Sequence, residues 1–133
     1  MREIIYKFIN IEKNIAREKG DFWLFALFLR EDAPNVWDLV VSAPWIKDDY
    51  DTLKYLSREI NKVLTDSELL KLSHIAIISE DNPNLASLNK IKIEHGDVEL
   101  KNCNFFGLEI KHAFIITSKT KEKLETVSAA QPA

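Results

Sequence analysis

The spacing of hydrophobic residues predicts a helix at the beginning of the chain, followed by two strands. Between residues 3 and 18, hydrophobic positions recur every three or four residues, which lines one side of a helix. The members of this apolar stripe are Ile4, Phe8, Ile11 and Ile15. Residues 22–29 form a short, aromatic run after Gly20, which is typical of a strand that follows a helix end. Residues 36–43 alternate in hydrophobicity after a turn, so they predict a second strand antiparallel to the first.

The middle of the chain returns to helical spacing. Residues 49–64 predict a second long helix that is capped by Asp48 or Asp49. Thr65 and Glu68 have the spacing of a capping box, which predicts a short helix through Leu72. Residues 74–79 then predict a third strand that is apolar on both faces.

The last third of the chain changes to a period of two. Asn82 followed by Pro83 predicts a short helix over residues 84–89. Alternation from residue 91, interrupted by a turn at 95–97, predicts a strand that begins at Val98. Residues 108–117 predict a long final strand, in which Leu108, Ile110, His112, Phe114 and Ile116 share one face.

These elements predict the α+β class, with a mostly antiparallel sheet of about five strands and two main helices. The predicted order is α-β-β-α-(α)-β-(α)-β-β. We expect one domain over residues 1–118 and a polar tail over 119–133 that is a frayed helix or disordered. The order is loosely similar to that of profilin-like and roadblock-like domains, which implies a ligand-binding or dimerising module.

Composition narrows the function classes. The chain has 133 residues and a formal net charge of −3, which disfavours a broad electrostatic surface for nucleic acid. Cys103 is the single cysteine, so an intrachain disulfide is excluded and a reducing compartment is indicated. No stretch is apolar enough for a signal peptide or a membrane-spanning helix, and we therefore expect a cytoplasmic protein with no membrane partner. With only three glycines, the chain has no glycine-rich phosphate loop.

One acidic residue followed by a Glu-x-Lys element suggests catalytic chemistry. Asp97 precedes Glu109 and Lys111 in the strand-rich part of the chain, a pattern that resembles the signature of the restriction-endonuclease-like fold. The resemblance implies a nuclease in which Asp97 and Glu109 hold Mg²⁺, while Lys111 positions water or stabilises charge. A second Glu-x-Lys at Glu99 and Lys101 favours the other interpretation, a solvated strand face with paired charges and no cofactor.

An aromatic segment after the second strand is a candidate binding surface. Trp45 and Ile46 follow Pro44, and Tyr50 is close in sequence. Aromatic residues are enriched at protein interfaces, which favours contact with a partner or ligand. The alternative is that Trp45 folds back over the hydrophobic core.

The leading hypothesis is a non-catalytic binding protein, either a regulator or an accessory subunit. Strands one and three are apolar on both faces, and a sheet with two apolar faces needs two covers. If both long helices lie on one face, we expect a homodimer or another protein partner on the other, through Trp23, Trp37 or their opposite-face neighbours. If the helices flank the sheet, we expect a three-layer monomer.

Overall fold

Three helices and five strands make up the part of the chain that the computed structural model describes, which is residues 2–32, 35–47, 49–79, 82, 85, 92–105 and 108–119. The helices are α1 (Arg2–Lys19), α2 (Tyr50–Asn61) and α3 (Asp66–Leu69). The strands are β1 (Leu24–Arg30), β2 (Trp37–Ser42), β3 (Leu72–Ile77), β4 (Val98–Phe105) and β5 (Leu108–Ser118). The α+β class and the order of these elements are confirmed. The predicted helix at 84–89, apart from Leu85, and the tail from 120 lie outside the described residues.

Local chemistry sets the two later helix starts. The Asp49 carboxylate accepts a hydrogen bond from the Thr52 backbone N–H at 2.9 Å, and this bond lowers the pKa of Asp49. Thr65 and Glu68 form the reciprocal hydrogen bonds of the predicted capping box at the start of α3. Both caps satisfy backbone N–H groups that have no partner inside the helix.

The strands form one sheet in the order β3-β2-β1-β5-β4. Neighbours are antiparallel except β2 and β3, which are parallel. The parallel pair follows from the connection through α2 and α3, because a helical crossover returns the chain to the end at which β2 began. The prediction of a mostly antiparallel sheet is confirmed.

Both long helices pack on the same face of this sheet. The predicted stripe of α1 is buried against it, together with Leu56 and Ile60 of α2. The strands contribute Phe25, Leu27, Leu39, Val41, Phe114 and Ile116 to this first core. The first face is therefore covered by helices.

The second face is covered by the chain itself. Its buried strand residues are Leu24, Ala26, Phe28, Val40, Ile110, Ala113 and Ile115. Leu85 and Ile93, two described residues between β3 and β4, also pack into this second core. Trp37 packs on Phe114 within the first core, with 5.5 Å between the ring centroids.

A β-bulge changes which side chains of β5 face each core. Leu29 of β1 pairs with His112, but the next residue, Arg30, pairs with Ile110, so Lys111 is the extra residue. Ile110 therefore packs in the second core, whereas Phe114 packs in the first. The predicted single face running from Ile110 through Phe114 is wrong for this reason.

Candidate functional site

A fully buried carboxylate lies on the apolar side of α1. Glu12 is 0% exposed, and its Oε1 accepts a hydrogen bond from Nδ1 of His95, 83 positions away in sequence. Its Oε2 accepts a hydrogen bond from the Thr117 hydroxyl at 2.9 Å. A buried carboxylate without partners is strongly destabilising, so these contacts with the 93–97 turn and β5 compensate its burial.

His95 has a backbone conformation that non-glycine residues rarely adopt. Its φ is 54°, in the left-handed region, which costs on the order of 1–2 kcal/mol. The surrounding bonds hold it there, because the His95 N–H donates to Thr117 Oγ1 at 3.1 Å and the Gly96 N–H donates to the Ile116 carbonyl at 3.0 Å. The imidazole itself is about one-third exposed, at 32%.

The contacts continue from His95 to the surface. His95 Nε2 lies 3.6 Å from Oε2 of Glu94, and Glu94 pairs with the ammonium group of Lys119. Lys119 also donates to Asp21 at 2.9 Å. Burial alone would lower the pKa of Lys119, but its hydrogen bonds to Glu94 and Asp21 raise it above the usual value. The Glu12 cluster is defined by these six residues: Glu12, Asp21, Glu94, His95, Thr117 and Lys119.

A second cluster lies on adjacent strands near the opposite end of the sheet. Asp38 of β2 is almost buried, with 8% of its side chain exposed, and its Oδ2 lies 3.0 Å from Nε of Arg30. Its Oδ1 lies 3.2 Å from Nδ1 of His74, and Arg30 also approaches Asp32 at 3.6 Å. In this Asp38 cluster the Arg30 guanidinium supplies the positive charge that faces the nearly buried carboxylate.

The two predicted metal ligands are far apart. Asp97 precedes Val98, which pairs with Ile115, whereas Glu109 pairs with Asn104. The six residue-to-residue steps from Glu109 to Ile115 span roughly 20 Å of strand. Among the residues that the structure describes, no group of three acidic, histidine or cysteine side chains is placed to hold a metal ion.

Glu109 lies instead beside Glu31. The Glu31 N–H donates to the Glu109 carbonyl at 3.0 Å, and both residues line an open cleft of about 320 Å³ with Asn102, Asn104 and Cys103. Burial raises the pKa of the Cys103 thiol, which disfavours the reactive thiolate. Lys111 is exposed on the bulge.

The predicted aromatic segment divides into a packed part and an exposed part. Trp45 folds back over the first core, where its Nε1–H donates to the Gly20 carbonyl at 2.9 Å and its ring centroid lies 5.4 Å from that of Phe22. Gly20 has a φ of +118°, and a Cβ there would lie 3.3 Å from Cδ1 of Trp45. Ile46 is half-buried against the same core, and Tyr50 is 74% exposed.

The two outer strands differ in their protection. β4 has Glu99 and Lys101, and Asn102 interrupts it with a φ of 51°. Charges and irregularities of this kind prevent pairing with other chains. The sequence Leu72–Ile77 of β3 has no proline, lysine or acidic residue, and its hydrophobic side chains are only half-buried.

Comparisons with models of known protein families, with curated proteins and with solved structures find no match to this chain. The helices within the described ranges are all too short or too polar to cross a membrane. Functional interpretation therefore rests on the residues themselves.

Sequence reasoning missed the Glu12 cluster. His95 was expected only to sit in a turn, and Glu12 has no neighbouring partner in sequence. The available signal was Glu12 beside Ile11 in the apolar stripe of α1, since an acidic residue on a core-facing side needs a partner. Sequence spacing could not identify that partner as His95.

Proposed function

We propose that this protein is a non-catalytic interaction module that pairs the outer side of β3 with a strand of another polypeptide. The observation that carries the proposal is the contrast between the two outer strands. β4 is protected by Glu99, Lys101 and Asn102, whereas four of the six residues of β3 are apolar and none is a lysine, a proline or an acidic residue. Unprotected edge strands are templates for pairing with another chain.

The backbone groups available for this pairing can be identified. The Ile78 N–H donates to the Val41 carbonyl of β2, so the backbone of residue 78 is directed inward. Because successive residues direct their N–H and C=O groups to opposite sides of a strand, Ile75 and Ile77 direct theirs away from β2. Within the part of the chain that the structure describes, no strand pairs with this side.

The surroundings of β3 favour a protein partner over nucleic acid. Leu70, immediately before the strand, is 79% exposed, and Leu72, Ile75 and Ile77 are half-buried. Such apolar surface is typical of a protein interface, and the net charge of −3 disfavours a polyanion. A second copy is the partner we propose, through antiparallel pairing of two β3 strands about a twofold axis. The single cysteine supports a cytoplasmic location for this module.

The test is a charge placed on the outer strand. Ser73 is exposed, so Ser73→Lys should leave the fold intact while disfavouring pairing at β3. We expect the wild-type protein to have the mass of a dimer by light scattering at micromolar concentration. Ser73→Lys should shift this mass toward that of the monomer.

The matched control is Asn104→Lys, which adds the same charge at an exposed position of β4. It should leave the dimer unchanged. A wild-type monomer over the whole micromolar range would exclude the second copy as the partner. Equal dissociation by both variants would contradict the assignment of the interface to β3.

A further inference from the structure

We propose that the contact between Glu12 and His95 is a proton-dependent latch that fastens the 93–97 turn to α1 and to the end of β5. The contact joins a buried carboxylate to a partly exposed imidazole. It therefore connects the interior to a group that solvent protons can reach. This inference is independent of the pairing proposed for β3.

Charged groups from three segments surround the imidazole. Glu12 faces it from α1, and Glu94 faces it from its own turn. Lys119 approaches from the end of β5, but it is engaged by both Glu94 and Asp21. With three carboxylates and one ammonium group in the cluster, a neutral imidazole leaves an excess of negative charge beside buried Glu12. A charged imidazole reduces that excess and strengthens the hydrogen bond to Glu12.

The latch acts on four backbone N–H groups that hold the turn against β5. Ile93 and Ser118 exchange two backbone hydrogen bonds, at 3.2 and 2.8 Å. The Gly96 N–H donates to the Ile116 carbonyl, and the His95 N–H donates to the Thr117 hydroxyl that also binds Glu12.

If the imidazole loses its proton, its attraction to Glu12 weakens, and the hydrogen bonds of these N–H groups break more often. Histidine side chains commonly change charge between pH 5 and 8, so the opening of the turn is compared across this range.

Hydrogen exchange of these backbone amides tests the proposal in the full-length wild-type protein. Protection factors, which correct for the intrinsic effect of pH, should fall roughly tenfold for Gly96 and Ser118 between pH 5.5 and 8. Amides of β1 between its two neighbouring strands, such as Leu27, provide the internal reference and should change little.

His95→Asn removes the imidazole and keeps a residue type that tolerates positive φ. In this variant the two amides should lose their pH dependence and keep the low protection that wild type has at pH 8. His112→Asn is the matched control, because His112 pairs with Glu99 on the outer hairpin and should leave the turn unaffected. Protection factors that are independent of pH in wild type would overturn the latch. The wild-type measurements decide the question even if a variant is unstable.

Discussion

At the scale of single residues, burial and nearby charges change the pKa of one tyrosine, Tyr55. Tyr55 of α2 is half-buried, with its ring 6.3 Å from that of Trp45 and Lys19 of α1 over its face at 4.9 Å. Burial raises its pKa to about 12, and the negative charges of Glu18 and Glu59 add to this effect. The neutral phenol is therefore the favoured form of Tyr55 in the folded protein.

This pKa predicts a specific response to alkali. The folded protein holds the Tyr55 proton more tightly than the unfolded chain, whose tyrosines titrate near pH 10. The stabilisation is complete below about pH 10 and is lost as pH rises toward 12, since the unfolded state then releases a proton that the folded state retains. Tyr55→Phe should therefore lose less stability than wild type between pH 10 and 12. Absorbance at 295 nm measures phenolate formation in both proteins. The absorbance step that Tyr55→Phe loses should lie near pH 12, and the loss of a step near pH 10 would contradict the raised pKa of Tyr55.

At the scale of elements, α1 combines a core-forming face with the buried carboxylate of the Glu12 cluster. Phe8 is 1% exposed and lies 6.4 Å from Phe25 of β1, measured between ring centroids. Lys7, its neighbour, donates to Glu68 at 2.7 Å and so connects α1 to α3. The helix is held to the rest of the chain by both apolar and charged contacts.

The apolar contacts predict a large loss of stability for Phe8→Ala. Removing the ring leaves a cavity at the centre of the first core, which typically costs about 3–5 kcal/mol. Tyr6→Ala, on the exposed side of the same helix at 56% exposure, is the matched control and should change stability by less than about 0.5 kcal/mol. Urea unfolding of the three proteins measures both changes. Equal stability of the two variants would show that α1 is not packed through Phe8.

At the scale of the whole molecule, sheet order determines which acidic residues meet. β4 and β5 are antiparallel neighbours, and this places Asp97 and Glu109 at opposite ends of their hairpin. Glu109 is adjacent instead to Glu31, the residue that follows β1. A nuclease site built from Asp97, Glu109 and Lys111 has no support in this arrangement.

The separation predicts that Mg²⁺ does not stabilise the fold. A site with a Kd of about 0.1 mM would add roughly 2.7 kcal/mol at 10 mM metal, which a thermal melt detects readily. We expect the melting temperature in 10 mM MgCl₂ to match that in NaCl of equal ionic strength, for wild type and for Glu109→Ala alike. A rise that is specific to Mg²⁺ and absent in Glu109→Ala would restore the metal-binding hypothesis.

The sequence by itself determined the elements that depend on local chemistry. Helical spacing identified α1 and α2, and side chains such as Asp49 and Thr65 stabilise helix ends through residues three positions away. Alternation and turn residues identified the strands, although the assigned ends differ by one or two residues. These features are predictable because hydrogen bonding and periodicity act over a few neighbouring positions.

Tertiary structure alone decided the contacts that bear on function. Three features join distant segments: the bulge at Lys111, the packing of Leu85 and Ile93 in the second core, and the pairing of Glu12 with His95. Local spacing carries no information about which strands become neighbours, and a one-residue shift reverses which face a side chain occupies. Sequence spacing therefore left open whether Asp97 and Glu109 meet, whereas the sheet order put Glu109 beside Glu31.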